Sequence, residues 1–258
     1  MQEQQTARKT LQGQYISLEG KKVLITGGTT GIGREIARML AAEGAGVLIF
    51  GRDEKAMNEA LEDIRASASG SDPVGFTADV ATEDGIKKIF SEVDANGGID
   101  ILVNNAAIGY QGVMEGNYQE LQYIVNVNIL GYLACTQEAA KRMEAAGTRG
   151  QIIFIGSMSA DTREPKSSVY VATKSSIQGF AVAVRKELNP KGISVSLIEP
   201  GAVDTDMQEQ SAEEKLKKIE AEEMLMAEDI AEAVLFVVTR PERCDVVEMK
   251  IRPHKQLI

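Results

Sequence analysis

The chain has 258 residues, of which 43% are hydrophobic and 26% are charged. This length is sufficient for one well-buried α/β domain, and the composition is typical of a globular protein. The net charge of −10 argues against nucleic acid or an anionic membrane surface as a partner. The chemistry is therefore expected to involve a small molecule.

Residues 1–20 are polar and glutamine-rich, without the apolar core of a secretory signal. No stretch of the sequence approaches the roughly 18 apolar residues that a membrane-spanning helix needs. The sequence therefore predicts a cytoplasmic protein with no membrane partner. Residues 1–20 are expected to form a flexible extension before one domain at 21–258.

Cysteine and histidine are scarce. His254 is the single histidine, and the two cysteines, Cys135 and Cys244, are far apart in the sequence. A zinc site and Ser-His-Asp chemistry are therefore nearly excluded, and no metal is predicted. Catalysis has to use other acids and bases.

The first element of the domain is a short apolar strand at 22–26, followed by a glycine-rich turn and a helix from Arg34. Gly27 can adopt backbone angles that a side chain forbids, and Gly31 leaves room for a pyrophosphate against the backbone. Gly33 allows close helix packing, and the helix N-terminus favours an anion. An ordinary strand–turn–helix connection is the alternative interpretation.

Strands and helices then alternate along the chain, which predicts a doubly wound, Rossmann-type parallel sheet of about seven strands flanked by helices. Further strands are expected at 47–50, 74–77, 100–103, 151–155, 193–198 and 247–251. Helices are expected at 54–68, 82–96, 117–146, 168–188, 208–223 and 228–239, with Asp53 capping the helix at 54–68.

The second strand ends at Gly51-Arg52, at a position that indicates the cofactor type. NAD-binding proteins usually place an acidic side chain there for the ribose 2′-hydroxyl, whereas a guanidinium suits a 2′-phosphate. Arg52 therefore favours NADP(H) over NAD(H). The alternative is a solvated arginine paired with Asp53.

Three residues indicate acid/base chemistry: Ser157 at the end of the fifth strand, and Tyr170 with Lys174 one helical turn apart. For a tyrosine to ionise near pH 7, its pKa must fall by about 3 pH units, which costs about 4 kcal/mol. A lysine ammonium about 4.5 Å away supplies about that much at an effective dielectric constant of about 20. Tyrosine and lysine at this spacing, taken alone, usually mean only two surface residues.

Together, the glycine loop and these three residues strongly resemble the short-chain dehydrogenase/reductase family over residues 20–252. The resemblance implies that Asn128 completes the catalytic set with Ser157, Tyr170 and Lys174. Asn128 would hold a water leading to the lysine, or else be a helix-interior asparagine bonded to nearby backbone.

The resemblance also implies a cofactor site. Asp79 and Val80 would contact adenine, although they could equally be a turn residue and a core valine. The segment from Pro200 would hold the nicotinamide carboxamide. The implied cofactor-binding residues are Gly27, Thr29, Thr30, Gly31, Ile32, Gly33, Arg52, Asp79, Val80, Asn105, Ala106, Tyr170, Lys174, Pro200, Gly201, Val203 and Thr205.

The chain departs from the family pattern at three places. Ala107 replaces a glycine, and Thr30 stands where many NADP-using relatives carry a basic residue. The segment 243–248 lacks the glycine-rich ending that relatives often have, which bears on oligomer contacts and on the outer wall of the substrate pocket.

Two helices and one segment carry further expectations. Relatives associate through the helices at 117–146 and 168–188, so a homodimer or homotetramer is predicted. Residues 206–223 follow the nicotinamide segment and offer few apolar anchors, so they are expected to form a mobile lid, with Met207 and its apolar neighbours facing a partly apolar substrate. A static surface helix is the alternative.

The sequence thus predicts an NADP(H)-dependent oxidoreductase. It would transfer a hydride between the nicotinamide and a small carbonyl or secondary-alcohol substrate, with Tyr170 as the acid/base. The competing interpretation is a non-catalytic dinucleotide-binding sensor or scaffold, because a fold does not fix a function.

Overall fold

The computed structural model describes residues 15–208 and 210–256. Residues 1–14 of the expected extension, residue 209 of the expected lid and residues 257–258 lie outside this described part. Within it, strands alternate with helices along the whole chain, which is the predicted pattern.

The sheet is entirely parallel. Its strands are β1 (Lys22–Thr26), β2 (Gly46–Gly51), β3 (Val74–Thr77), β4 (Ile101–Asn104), β5 (Gln151–Ile155), β6 (Ser194–Pro200) and β7 (Glu248–Ile251). They lie in the order β3-β2-β1-β4-β5-β6-β7. The direction of winding reverses between β1 and β4, and in such sheets the ligand crevice lies beyond the carboxyl ends of the strands at this point.

Helices pack on both faces of the sheet. They are α1 (Gly31–Ala42), α2 (Glu54–Ser67), α3 (Glu83–Ala95), α4 (Tyr118–Val125), α5 (Gly131–Ala146), α6 (Ser159–Thr162), α7 (Ser168–Leu188), α8 (Ala212–Glu220) and α9 (Ala227–Val238). α1 packs against both α2 and α9, while α3 packs against α5. The sheet is therefore the central layer of a single α/β domain.

Some helix boundaries differ from those expected. α1 begins at Gly31 rather than Arg34, because the glycine loop turns directly into the helix. The expected helix at 117–146 is divided by a π-helical turn, Asn126–Leu130, in which the Gly131 N–H bonds to the carbonyl of Asn126. The helix expected at 208–223 is confined to α8, and the short α6 was not predicted.

The start of the described chain packs against the end of α9. The Ile16 N–H donates to the Thr239 carbonyl at 2.9 Å, and Leu18 is buried. Packing therefore begins before the expected domain boundary at residue 21. Asp53 caps α2 as predicted, because its side chain accepts from the Ala56 N–H at 2.7 Å.

The described residues hold neither a membrane-spanning helix nor a cluster of metal ligands. Across residues 15–208 and 210–256, no helix has both the length and the apolar character to cross a bilayer. The same residues include no group of three or more histidine, cysteine, aspartate or glutamate side chains placed to hold a metal ion.

Candidate active site

A cleft of about 1190 Å³ lies across the carboxyl ends of the strands. At one end it is lined by Arg52 and Asp79, which follow β2 and β3, and at the other by Ser157 and Tyr170. The glycine loop after β1 lies between these ends. The cleft is therefore an elongated site that joins a cationic end to a pair of hydroxyl groups.

The glycine loop forms one wall and is tightly interlocked. Gly27 has φ +65° and Gly31 has φ +51°, backbone angles that favour glycine. A Cβ on Gly33 would lie only 2.2 Å from the Gly27 carbonyl oxygen. The Asn105 side chain donates to the carbonyls of Thr26 and Gly27, both at 3.0 Å, and so fixes the loop from β4.

This loop fits the pyrophosphate of a dinucleotide. The first N–H groups of α1 have no partner within the helix, and the helix dipole is positive at this end. A Cβ on Gly31 would lie 3.2 Å from the Thr205 methyl carbon, so a larger residue would crowd the cleft here. Bare backbone next to a helix N-terminus is the arrangement that binds phosphate groups.

At the cationic end, three side chains form a chain of contacts. The Arg52 guanidinium donates to the Tyr123 hydroxyl and lies 5.6 Å from the centre of the Tyr123 ring. The Tyr123 hydroxyl lies 3.3 Å from an Asp79 carboxylate oxygen. Arg52 is thus held by Tyr123 from α4, and the predicted alternative of a pair with Asp53 is wrong, since Asp53 caps α2.

The preceding residue, Gly51, lies against Thr29, so an acidic side chain of the kind that NAD-binding proteins place there would require Thr29 to move. A Cβ on Gly51 would lie 2.7 Å from both the hydroxyl and the methyl group of Thr29.

Val80 is buried and packs against Gly131, where a Cβ would lie 2.9 Å from a Val80 methyl group. Val80 therefore belongs to the core while it also lines the cleft.

Ser157 and Tyr170 meet at the opposite end of the cleft. Ser157 follows β5, and its hydroxyl accepts from the Ser159 N–H at 3.1 Å at the start of α6. The Ser157 hydroxyl is close enough to the Tyr170 phenol to lower its pKa. Burial raises the pKa of Tyr170 to about 12, although Ser157 acts in the opposite direction.

Lys174 lies beneath this pair and is 2% exposed. Its ammonium donates to the Ile155 carbonyl at 3.0 Å and lies 5.8 Å from the centre of the Tyr170 ring. Burial lowers the pKa of Lys174 to about 8, while Glu199 opposes this change.

The expectation that the tyrosine pKa falls toward 7 is not met in this structure, because desolvation outweighs any lowering by the Lys174 ammonium. The Lys174 ammonium donates to backbone rather than to the phenol, and desolvation dominates the Tyr170 pKa. Tyr170 consequently carries its proton at neutral pH, which suits a proton donor.

Asn128 lies on the π-helical turn and is fully buried. Its side-chain oxygen accepts from the Ile108 N–H and its amide donates to the Ile108 carbonyl, both at 2.9 Å. The amide also lies 3.2 Å from the Thr173 hydroxyl, next to Lys174 in sequence. Asn128 therefore joins the loop after β4 to α7, which matches the predicted alternative of an asparagine bonded to backbone.

The segment after β6 closes the cleft from the other side. Val203 forms a parallel bridge with Leu225. The Lys215 ammonium donates to the Thr205 carbonyl at 2.7 Å and lies 3.2 Å from the Asp204 carboxylate. α8 is thus attached through the buried Lys215, whereas its apolar residue Leu216 is 59% exposed.

The structure brings most of the predicted residues together in one cleft. The residues that line it are Gly27, Thr29, Thr30, Gly31, Ile32, Arg52, Asp79, Val80, Asn105, Ala106, Ser157, Tyr170, Lys174, Pro200, Gly201, Val203 and Thr205. Gly33 and Asn128 support the walls from behind. Met207 lines the cleft as expected.

Sequence analysis missed Tyr123 and Glu199. Tyr123 lies on α4, in a run of apolar and polar residues where a tyrosine carries no distinctive signal. Glu199 directly precedes Pro200-Gly201, and an acidic residue inside a buried strand that has no other charged residue was the available signal.

Comparison with known proteins agrees with this site. The family model for short chain dehydrogenase matches residues 21–216. An uncharacterized oxidoreductase of Staphylococcus epidermidis is 32% identical over 235 residues, which cover 90% of this chain and 97% of the relative. The chain therefore belongs to the short-chain dehydrogenase/reductase family, whose members are oxidoreductases that bind a nicotinamide dinucleotide and act on small molecules.

Two solved structures show the same fold. A short chain dehydrogenase from Burkholderia cenocepacia in complex with NADP is 30% identical, with a TM-score of 0.81, and the match covers 92% of this chain and 98% of that one. A 3-ketoacyl-(acyl-carrier-protein) reductase from Brucella melitensis, complexed with NADH, is 28% identical, with a TM-score of 0.82 and coverage of 93% and 100%. Similar folds thus bind either nicotinamide cofactor.

Proposed function

We propose that the protein is an NADP(H)-dependent oxidoreductase acting on a carbonyl and secondary-alcohol pair. The observation that carries the proposal is a single cleft with the Ser157 and Tyr170 hydroxyls at one end and the Arg52 guanidinium at the other. When bound, the cofactor supplies or accepts the hydride. The remaining chemistry falls to the side chains of the cleft.

In the reductive direction, Tyr170 gives its proton to the substrate oxygen. Its raised pKa keeps the phenol neutral at physiological pH, so the proton is available for transfer. Ser157 donates a hydrogen bond to the same oxygen and so orients the carbonyl. In the oxidative direction, Tyr170 would have to be deprotonated: its phenolate would accept the alcohol proton while Ser157 holds the alcohol oxygen.

Lys174 and Asn128 support this pair. The Lys174 ammonium stabilises negative charge that develops at the phenol, and a buried location strengthens the interaction. Asn128 acts as a positioning residue, because its bonds to Ile108 and Thr173 hold the loop and α7 in register.

Arg52 supports NADP(H) rather than NAD(H). A guanidinium presents a planar set of donors that suits a phosphate, and Tyr123 holds it at the cleft. Gly51, packed against Thr29, adds no carboxylate that would repel a 2′-phosphate. The cofactor lies, in this proposal, along the residues identified above, from Arg52 to Thr205.

The decisive experiment measures NADPH consumption with a panel of ketones and 3-oxo esters. We expect turnover for at least one member and, for Tyr170→Phe, a loss of kcat of about 10²–10⁴-fold with cofactor affinity retained. Phenylalanine keeps the packing of the ring and removes only the hydroxyl. Tight NADPH binding without any turnover across the panel would instead favour a dinucleotide-binding sensor.

A further inference from the structure

Glu199 is a buried carboxylate for which the proposed mechanism has no role. It lies on β6 with no exposed surface. Among the described residues, the other buried charged side chains are Lys174 and Lys215. Because burying a charge is costly unless it is compensated, the surroundings of Glu199 require an explanation.

The carboxylate of Glu199 is only partly satisfied. One oxygen accepts from the Gln178 amide at 2.9 Å, and Gln178 also donates to Asp161 at 3.1 Å. The other oxygen lies 3.6 Å from the Lys250 ammonium and has no hydrogen-bond partner. Lys250 in turn lies 2.5 Å from Asp161 and 3.1 Å from Glu248.

This carboxylate lies directly behind the catalytic end of the cleft. A Cβ on Gly156 would lie 3.0 Å from the Glu199 side chain, and Gly156 immediately precedes Ser157. The Lys174 ammonium bonds to the carbonyl of Ile155, the residue before Gly156. Glu199 thus packs on the residue that follows the Ile155 carbonyl, the group to which Lys174 donates, and its carboxylate acts to raise the pKa of Lys174.

We propose that Glu199 is a positioning residue that keeps the Lys174 ammonium charged, and that Lys250 in turn keeps Glu199 ionised. The proposal rests on the proposed function, in which Lys174 must be charged. It extends that function by adding a second layer of charge behind the Ser157 and Tyr170 hydroxyls.

Among the groups around Lys174, Glu199 is the one that can offset the cost of burying the lysine charge. Tyr132 from α5 lies with its ring centre 5.5 Å from the Lys174 ammonium, and Tyr170 lies on the same helix as Lys174. Burial raises the pKa of both phenols, so both are neutral near pH 7. Glu199 is thus the carboxylate that opposes the desolvation of Lys174.

The groups around Glu199 explain why Lys250 is proposed to keep this carboxylate ionised. Burial raises the pKa of Glu199, and Asp161 from α6 and Glu248 from β7 act in the same direction. Gln178 and Lys250 lower it. Lys250 forms an ion pair with this carboxylate, so its removal should raise the pKa of Glu199 further and reduce the negative charge next to Lys174.

The test titrates Lys174 directly by NMR of lysine side chains labelled with ¹³C and ¹⁵N, assigned with Lys174→Met. We expect Glu199→Gln to lower the midpoint of Lys174 by about half a pH unit or more, a factor of about three in proton affinity. The matched control is Glu248→Gln, which makes the same change at an exposed carboxylate of the same ion-pair cluster and should leave the midpoint unchanged.

Lys250→Met provides an independent arm that leaves Glu199 in place. It should lower the Lys174 midpoint in the same direction as Glu199→Gln. Equal midpoints in the wild type, Glu199→Gln and Lys250→Met would overturn the proposal, as would an equal effect of Glu248→Gln. Should Glu199→Gln not fold, the Lys250→Met arm decides alone.

Catalysis provides the last readout. Because charged Lys174 is lost above its pKa, the alkaline limb of kcat should move to lower pH in Glu199→Gln and Lys250→Met but not in Glu248→Gln. The NMR titration needs no substrate. An absence of turnover would therefore refute the proposed function and leave the coupling of Glu199 to Lys174 to be decided on its own.

Discussion

At the scale of single residues, the contacts of Arg52 make its role testable. The guanidinium is held by the Tyr123 hydroxyl, which Asp79 contacts from the other side. Tyr123 therefore fixes where the positive charge lies. A residue that orients a charged group contributes to specificity even where the ligand never touches it.

Arg52→Asp should reverse the cofactor preference toward NAD(H). A charge-assisted contact is worth about 1.5–3 kcal/mol, so we expect the ratio of kcat/KM for NADPH over NADH to fall about tenfold or more. Tyr123→Phe should produce a smaller fall, because the guanidinium stays but loses its anchor. The control is Arg65→Asp on α2, away from the cleft, and an unchanged ratio in Arg52→Asp would show that Arg52 does not contact the cofactor.

Lys174 should also leave a signature in the pH dependence of stability. Its pKa is lowered to about 8 in the folded protein, against about 10.4 in an unfolded chain. Between these values the unfolded state binds the additional proton, so the unfolding free energy rises with pH. The gain is about 3 kcal/mol at most and is complete only above the unfolded pKa of about 10.4.

Denaturant titrations at several pH values test this expectation. Between pH 7 and 10, the wild type should gain stability relative to Lys174→Met. The matched control is Lys186→Met, the same change at an exposed lysine of the same helix, and the wild type should not gain relative to it. A constant difference between wild type and Lys174→Met over this range would mean that the folded protein does not perturb Lys174.

At the scale of elements, the local sequence predicted those parts of the site that depend on neighbours in sequence. The glycine loop and the Tyr170–Lys174 pair are short patterns with a fixed geometry, and the structure has both at the cleft. The π-helical turn at 126–130 was not predictable, because its backbone is shaped by contacts such as those of Asn128 with Ile108.

Contacts between residues that are distant in sequence also explain why the role of Tyr123 and the raised pKa of Tyr170 were not predicted. Tyr123 contacts Arg52 although the two residues are 71 positions apart in sequence, so only the folded chain brings them together. The predicted effect of Lys174 on the phenol used one distance and one dielectric constant. Desolvation of the tyrosine, which outweighs it, depends on how the whole cleft is covered.

α8 has little apolar contact with the rest of the protein and is held mainly by a polar attachment. Its buried side chain is Lys215, whose ammonium bonds to the Thr205 carbonyl, so the helix is tied to the residues proposed to hold the nicotinamide. A helix with so few buried contacts opens at low cost. If α8 acts as a lid, it is held closed by a polar attachment and not by the apolar face that the sequence predicted.

Hydrogen exchange tests this attachment. Exchange within Ala212–Glu220 should slow when NADP and a substrate analogue are both bound. Lys215→Met should speed exchange in the free protein by removing the bond to Thr205. The control is Lys217→Met, an exposed lysine of the same helix that pairs with Glu213. Strong protection that is the same with and without ligands would identify α8 as a static surface helix.

At the scale of the whole molecule, α5 and α7 present apolar side chains to solvent. Leu133 on α5 and Val182 on α7 are 38% and 42% exposed, and Leu130 next to α5 is 52% exposed. A Cβ on Gly179 would have no neighbour within 4 Å. α7 also carries Tyr170 and Lys174, so association through the exposed side of α7 would support the catalytic residues from behind.

We propose a homodimer or homotetramer that uses this face, and Gly179→Arg tests it. The arginine has open space in a single copy and raises helix propensity, so the fold should be kept while association is blocked. Light scattering should show a smaller particle than for the wild type. Ser91→Arg, on the exposed side of α3, is the control. A wild-type protein that is monomeric at micromolar concentration would refute the proposal.

The contact between α1 and α9 has a consequence for synthesis of the chain on the ribosome. β1 and α1 are synthesised early, but the side of α1 that packs on α9 has no partner until residues 227–238 have been made. The bond from Ile16 to Thr239 closes at the same late moment. We therefore expect nascent chains stalled before residue 227 to expose apolar surface, recruit chaperones and be cut rapidly by protease, and chains that include α9 to resist.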